Sequence, residues 1–452
     1  MKKVFTKAIG HIGTIGFIFF LSIISVHAQS FIEIVKETGV TIKEEGNVKI
    51  WEGPVVGKMK PNGPLTGKRI GVLVASEFSD FQAHYIVTYA SEFGGKVEFL
   101  LVDWVKWKFT RPNVKTKGVQ GMWGMGIEEK DARYTSKPLK EADSNSYDAL
   151  IVLGGHSADV MMTEKEVIDF IKAIYDKGAI IGAIGGGSIP LISAGIMNGK
   201  MATGNNVVSF MLKKIGTFKD VPVVKDGKVI TARNTIDTPD FVRELCKAFK
   251  PDFIAKRKGI LAGKRILIIA GEDFEDIELA VPVMEYIYRG AKVILATFSP
   301  PMRSRPPMLG LDVIQGNYGM SVPLQEIPLS YYQITKLSEI NIEDLDVVQI
   351  PGAFCPWNMI ESGKPVEFLK KAHDAGKIIA AICHGPIALA AADLVKGKKI
   401  AGWLACKDAV TIMGSTYNYD WSAVIDGQIV TGRTPPDVPE FLDATTEAIL
   451  IQ

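Results

Sequence analysis

The chain is written twice. Ala183-Ile184-Gly185-Gly186-Gly187-Ser188 returns as Ala381-Ile382-Cys383-His384-Gly385-Pro386 about 200 residues later. Leu65 to Ile70 returns as Leu261 to Ile266, Gly121 to Met125 as Gly316 to Met320, Asp148 to Gly155 as Asp346 to Ala353, and Asp226 to Arg233 as Asp426 to Arg433. A period of this length is a whole domain, too long for a solenoid unit, so the sequence predicts a tandem duplication. The expected units are residues 65–255 and 256–452, preceded by an arm over 29–64 and a processing segment over 1–28.

Within each unit, short Val/Ile/Leu runs alternate with amphipathic stretches such as Asp276 to Arg289 and Asn358 to His373. That alternation is the mark of parallel strands joined by crossover helices. It predicts an α/β chain of two flavodoxin-like, doubly wound parallel sheets. Ligands in such sheets bind outside the carboxyl ends of the strands, where both Cys383 and the Gly352-Ala353 turn are expected.

The formal net charge is only +2, which leaves no footprint for a nucleic-acid partner. The sequence holds no metal-ligand cluster and no Walker-type phosphate loop, so no cofactor is expected. Lys2 and Lys3 precede the apolar run Ile12 to Val26, and Val26-His27-Ala28 makes an acceptable cleavage site before Gln29. The run is shorter than the roughly 18 to 20 residues of a span. Export without stable membrane insertion is therefore expected, to a periplasm or the exterior.

Four cysteines make no disulfide framework: Cys246, Cys355, Cys383 and Cys406. Cys246 and Cys406 read as buried filler. Cys355 follows the Gly352-Ala353 turn, so a disulfide with Cys383 is open, subject to their distance. Cys383 is different in kind. It stands between an apolar run and a helical pattern, with His384 beside it, Gly385 relieving crowding and Pro386 suited to a first helical turn. This is the local design of a nucleophile elbow, in which a helix N-terminus is expected to favour thiolate. The backbone amides of His384 and Ala353 are the candidate oxyanion donors. His373 reads as a solvated helix residue, and His156 falls in the copy that lacks the cysteine.

At these residues the chain resembles the PfpI superfamily, whose fold is that of class I glutamine amidotransferases and whose members include cysteine peptidases, glyoxalase III enzymes and the parkinsonism-associated deglycase. The resemblance spans Leu65 to Gln452 and rests on Phe274-Glu275-Asp276-Ile277-Glu278-Leu279, Asp346 to Pro356 and Ala381 to Pro386. It implies that Cys383 is the nucleophile, His384 its neighbouring base and Glu278 the carboxyl that hydrogen-bonds the thiol. In the first repeat these positions hold Gly185, Gly186 and Gln82, which cannot perform the family's covalent chemistry. Ala353 replaces a family glycine and, with Phe354 and Trp357, is expected to narrow the pocket.

Similar peptidases take a histidine-orienting acid from the neighbouring subunit. Its loop position holds Asp159 in the first repeat and Trp357 in the second. The resemblance thus implies a Cys383, His384, Asp159 triad if the repeats pack as an intramolecular pseudo-dimer; an ordinary helix-capping aspartate before Met161 to Phe170 is the alternative. Three functions stay open: a cofactor-independent thiol enzyme acting on small reactive carbonyls, as glyoxalase III or deglycase; a cysteine peptidase or amidase acting on peptides; and a redox-sensitive binding protein. Oligomerisation beyond the pseudo-dimer is left open.

Overall fold

The computed structural model describes residues 41–53, 63–105, 118–127, 133–298 and 314–452. The expected processing signal, 1–28, lies outside the described residues. Among them, no helix is long and apolar enough to cross a membrane.

The described part of the arm is a hairpin, β1 (Thr41–Glu45) and β2 (Val48–Glu52). The first repeat then supplies β3 (Arg69–Ala75), helix α1 (Asp80–Glu92), β4 (Lys96–Val102), β5 (Tyr134–Pro138), β6 (Ala149–Val152), β7 (Ile180–Ile184), helix α2 (Asn206–Ile215), β8 (Val223–Asp226), β9 (Val229–Ala232) and helix α3 (Thr238–Phe249). The second supplies β10 (Arg265–Ala270), helix α4 (Asp276–Tyr288), β11 (Lys292–Thr297), β12 (Tyr332–Lys336), β13 (Val347–Ile350), helix α5 (Cys355–Ser362), β14 (Ile378–Ile382), helix α6 (Pro386–Ala391), β15 (Ala423–Asp426), β16 (Ile429–Gly432) and helix α7 (Val438–Ile451).

The two sheets have one topology. The first runs β8-β9-β7-β6-β3-β4-β5, and the second runs β15-β16-β14-β13-β10-β11-β12. All pairs within these orders are parallel except the β8/β9 and β15/β16 hairpins. The arm gives the second sheet two more strands: β2 pairs antiparallel with β15, and β1 with β2, making nine strands. Ile50 and Trp51 are buried there, and Ser422 donates to the Trp51 carbonyl through both its amide and its hydroxyl. The hairpin thereby satisfies a sheet edge that would otherwise present unpaired backbone.

Between the sheets lie α1 and α4. All thirteen residues of α1 are buried, as expected of a helix packed on its own sheet and on a partner domain at once. A single apolar core extends from β3 through α1 and α4 to the second sheet and α7. Matching turns lock it at one end. Asp80 accepts from the amides of Trp123 and Met125 at 3.0 and 2.8 Å, and Asp276 accepts from Tyr318 and Met320 at 3.0 and 2.7 Å. The two turns abut: a Cβ on Gly124 would sit 2.1 Å from the Tyr318 carbonyl oxygen, and one on Gly319 2.2 Å from that of Trp123. That contact is the physical reason these glycines recur in both copies.

A buried ion network fastens the helices. Glu285 of α4 accepts from Arg243 Nη2 at 2.8 and 3.0 Å, from Arg289 Nε at 3.0 Å and from the Tyr85 hydroxyl. Arg289 also donates to Asp443 at 2.8 Å, which pairs in turn with Arg257. Burial alone would raise the Glu285 carboxyl, but Arg243 and Arg289 outweigh it and hold it below the usual range. Glu285→Ala leaves buried guanidinium groups uncompensated and should cost about 3 to 5 kcal/mol. Denaturant unfolding, with the exposed Asp374→Ala as a control near zero, reads this. Because the folded-state carboxyl is depressed, its contribution is present above the unfolded value of about 4.3 and is lost as pH falls through the folded value. The variant's acid-unfolding profile should be flatter by that amount.

Candidate active site

The site begins where β14, buried along its length, stops at Ile382. The next residue, Cys383, has φ +60°, in the left-handed region that side-chain-bearing residues rarely occupy. Strain of this kind costs on the order of 1 to 3 kcal/mol and persists only where neighbours impose it. Here the Cys383 amide donates to Gly432 O at 3.0 Å, and its carbonyl accepts from Trp403 N at 2.9 Å and from Cys406 Sγ at 3.0 Å. Gly385 closes the turn, donating to Ile382 O at 2.7 Å, and α6 follows. In the first repeat Gly185 holds the same conformation at φ +54° with no side chain.

Three groups converge on the thiol. Ala353, itself at φ +53°, turns its N–H toward Cys383. Nδ1 of the half-buried His384 lies 3.4 Å from Cys383 Sγ. Glu278, in the first turn of α4 and fully buried, accepts from the Gly352 amide at 2.6 Å through Oε2, while Oε1 has no partner among the described residues and the Cys383 thiol faces the carboxyl. Gly352 must be glycine, because a Cβ there would lie 2.7 Å from both Cys383 Cβ and Glu278 Oε2. The His384 N–H finds no acceptor among the described residues and lies 3.0 Å from that Cβ position, so it remains available to a ligand oxygen beside Ala353 N.

The electrostatics reverse one expectation from sequence. Burial and the adjacent Glu275 carboxyl push Glu278 well above the usual carboxyl range, which favours its protonated form. Glu275 accepts from the Glu278 amide at 2.8 Å and is itself pushed up to about 8 by burial and the neighbouring Asp276. Burial, then Glu278 and Glu275, push the Cys383 thiol up rather than down. The helix-terminus effect does not prevail, because α6 has only six residues and starts three positions after the cysteine. In its protonated form the buried, partnerless Oε1 of Glu278 would be an O–H donor facing the sulfur. Burial lowers His384 below the usual histidine value, leaving the imidazole neutral.

Two further expectations are corrected. Cys355 makes no disulfide with Cys383; both are free thiols. The Cys355 side chain points back under β10, its Sγ accepting from Gly271 N at 3.3 Å. Nor does Asp159 complete a triad. It is exposed in the first turn of a short helix, Ser157–Met161, with no side-chain partner among the described residues, and the His384 ring pairs only with Cys383 Sγ. The domains meet through α1, α4 and the Trp123 and Tyr318 turns, which leaves the Asp159 helix packed on its own domain. Phe354 and Trp357 are exposed side chains flanking the Ala353 turn. Cys246 is buried filler as read, whereas Cys406 anchors the elbow carbonyl. Glu275 was missed as a site residue, although its signal was present: three acids within four positions at one helix start.

The first repeat's counterpart keeps the scaffold of this arrangement. Gln82 accepts from Gly154 N at 2.8 Å, as Glu278 does from Gly352, and its Nε2 donates to Thr235 at 2.9 Å. Glu326 of the second repeat reaches in behind, accepting from Thr235 at 3.0 Å, from Trp123 Nε1 at 2.9 Å and from Ser79.

This site has the parts of a thiol enzyme, and the model of the DJ-1/PfpI family matches residues 68–248 and again 264–448. The chain belongs to the DJ-1/PfpI family. Over 320 residues it is 28% identical to "Protein DJ-1 homolog D" of Arabidopsis thaliana, covering 69% of this chain and 80% of that one. It is 30% identical over 174 residues to "Deglycase PfpI" of Pyrococcus furiosus, and 32% over 178 residues to "Putative cysteine protease YraA" of Bacillus subtilis. These cover 38% and 39% of this chain and 92% and 94% of theirs, as a single-domain relative of a duplicated DJ-1/PfpI chain would.

Cys383 is 6% exposed, and the other three cysteines are 0%. Iodoacetamide should therefore label Cys383 first in the native protein, at a rate that climbs as pH rises through the elevated thiol value. Peptide mapping by mass spectrometry checks this; comparable early labelling of Cys246 or Cys406 would contradict the geometry.

Proposed function

We propose that this DJ-1/PfpI protein is a cofactor-independent thiol enzyme acting on small reactive carbonyl compounds. The observation that carries the reading is a fully buried Glu278 carboxyl, raised toward its protonated form, that faces a strained cysteine, with His384 paired to no carboxylate among the described residues. His384, lowered by burial, is a neutral base at rest in either reaction, so what separates them is the acid: a carbonyl addition needs one for the carbonyl oxygen, and Glu278 fills that role.

With a 2-oxoaldehyde, Cys383 sulfur adds to the aldehyde carbon while the carbonyl oxygen gains a proton from Glu278, and the thiol proton returns to the carboxylate. The product is a hemithioacetal. His384 removes the hydrogen on that carbon, and the electrons pass through an enediol to the neighbouring carbonyl, which is protonated to an alcohol. This leaves a thioester, and water releases it as a 2-hydroxy acid with the thiol restored. The substrate gains one water, and the internal oxidation of one carbon balances the reduction of the other. The amides of Ala353 and His384 hold the developing oxyanion. Deglycation of an amine hemiaminal would reach the same hemithioacetal when the sulfur displaces the amine: the carbon–sulfur bond forms, the carbon–nitrogen bond breaks, and the amine leaves carrying the proton lost by the thiol. The relatives named as deglycases support this choice, and the one named as a cysteine protease makes peptide hydrolysis the competing reading.

Methylglyoxal should be consumed without glutathione and yield lactate. Cys383→Ser should abolish turnover. Glu278→Gln keeps the Gly352 hydrogen bond but cannot shuttle a proton, and it should lose about 10² to 10⁴-fold. Asp159→Asn should leave turnover unchanged. Hydrolysis of a fluorogenic peptide with no methylglyoxal consumption would select the peptidase reading instead.

We further propose that the protein acts after export, on the strength of Lys2, Lys3, the short apolar run and the Val26-His27-Ala28 site. Intact mass of material from the host's exported fraction should begin at Gln29; retention of His27 in most molecules would refute it.

A further inference from the structure

The first repeat has lost its thiol and kept a cavity. About 490 Å³ opens beside Gly185 at the seam between the domains, within the size range of small-molecule sites. Its position follows from the elbow. A Cβ built on Gly185 would lie 3.2 Å from Asn205 Nδ2 and 3.7 Å from the Arg233 carbonyl, and both residues line the cavity. The second repeat contributes Pro328 and Tyr331 to the opposite wall.

The charge in this cavity is already balanced. Arg233 donates to Asp220 at 3.0 Å and to Asp237 at 3.2 and 3.4 Å, so its guanidinium is committed to two carboxylates. Lys213, stacked 5.1 Å from the Phe218 ring, restores neutrality. An anion would find no net pull here. What remains is a dense set of groups that donate and accept together. Asn206 brings a carbonyl oxygen and an amino group, Asn205 and Asn234 bring amino groups, their carbonyl oxygens being engaged by the backbone amides of Val207 and Asp237, and Asp220 adds an acceptor. The Tyr331 ring supplies an apolar face from the second repeat, while Phe218 carries Lys213 on one of its faces.

These amides have no counterpart in the second repeat. Thr203 and Ala401 are structural equivalents, each donating its amide to a threonine hydroxyl of the neighbouring strand, Thr231 at 2.9 Å and Thr431 at 3.0 Å. Counting onward, Asn205 and Asn206 answer to Trp403 and Leu404, and Asn234 answers to Thr434. The copy without a nucleophile thus carries three amides where the copy with one carries an indole, an aliphatic side chain and a hydroxyl.

From this we infer that the cavity of the first repeat binds a neutral carbohydrate of one or two rings. A sugar hydroxyl both donates and accepts, matching the amides, and the C–H face of a pyranose packs on aromatic rings. The ligand is held unchanged, because Gly185, Gly186 and Gln82 offer neither nucleophile nor base. The inference does not depend on the carbonyl chemistry proposed for Cys383.

Saturation-transfer NMR on the intact mature protein tests it, with D-glucose, D-ribose and maltose as probes and inorganic phosphate and glycolate as anionic competitors. At least one sugar should receive saturation. Its affinity should fall about tenfold or more in Tyr331→Ala, which removes a stacking face, and in Asn206→Leu, where the replaced side chain is exposed and makes no core contact. Cys383→Ser should bind the sugar as the wild type does. The proposal fails if none of the three sugars receives saturation. It fails equally if binding survives both cavity variants but is lost in Cys383→Ser, which would move the ligand to the second repeat. Displacement of the sugar by phosphate or glycolate, strengthened by Asp220→Ala, would mark an anion site and overturn the neutral class.

Discussion

Glu285 is a carboxylate with no access to water, held ionised by Arg243 from one domain and Arg289 from the next turn of its own helix. Such an ion is tolerable only when its neighbours are in place, so the network makes the relative position of the two domains nearly all-or-none. The consequence reaches further than the interface, because Glu285 sits on α4. The first turn of the same rigid helix carries Glu275, Asp276 and Glu278. Locking the last turns of α4 against Arg243 therefore also sets the depth at which Glu278 meets Cys383. Stability and site geometry share one lever.

This arrangement gives the first domain a role that needs no chemistry of its own. It covers α4 from the far side through α1, and one apolar core runs across the seam. A single copy of the second domain would expose that face of α4 to water. The silent copy thus serves as packing for the helix that carries Glu278. The first site, whose elbow conformation survives at Gly185, carries the amides that surround its cavity.

The thiol illustrates how the same residues can carry opposite chemistry. A cysteine ahead of a helix is often read as a standing thiolate, yet α6 is too short to contribute much field, and burial opposes ionisation. What the site offers is a reserve of protons beside a nucleophile. That suits addition to a carbonyl, in which a proton must arrive as the carbon–sulfur bond forms, better than a reaction that begins from free thiolate.

The sequence by itself determined the elements that depend on local pattern: the duplication, the alternation of strand and helix, the elbow at Cys383 and the loss of its chemistry at Gly185, Gly186 and Gln82. These are properties of neighbours in the chain, where backbone preference and periodicity act directly. Glu278 was legible only through the family resemblance, since no spacing links it to a cysteine more than a hundred residues away. Tertiary structure alone decided the rest. The arm became two strands of the second sheet because that edge was unpaired. Asp159 stayed with its own domain because the seam formed through α1 and α4, and Cys355 turned under β10 instead of toward Cys383. The direction in which Cys383 and Glu278 shift was also decided there, because desolvation and the approach of remote charges depend on distances that a linear pattern does not contain.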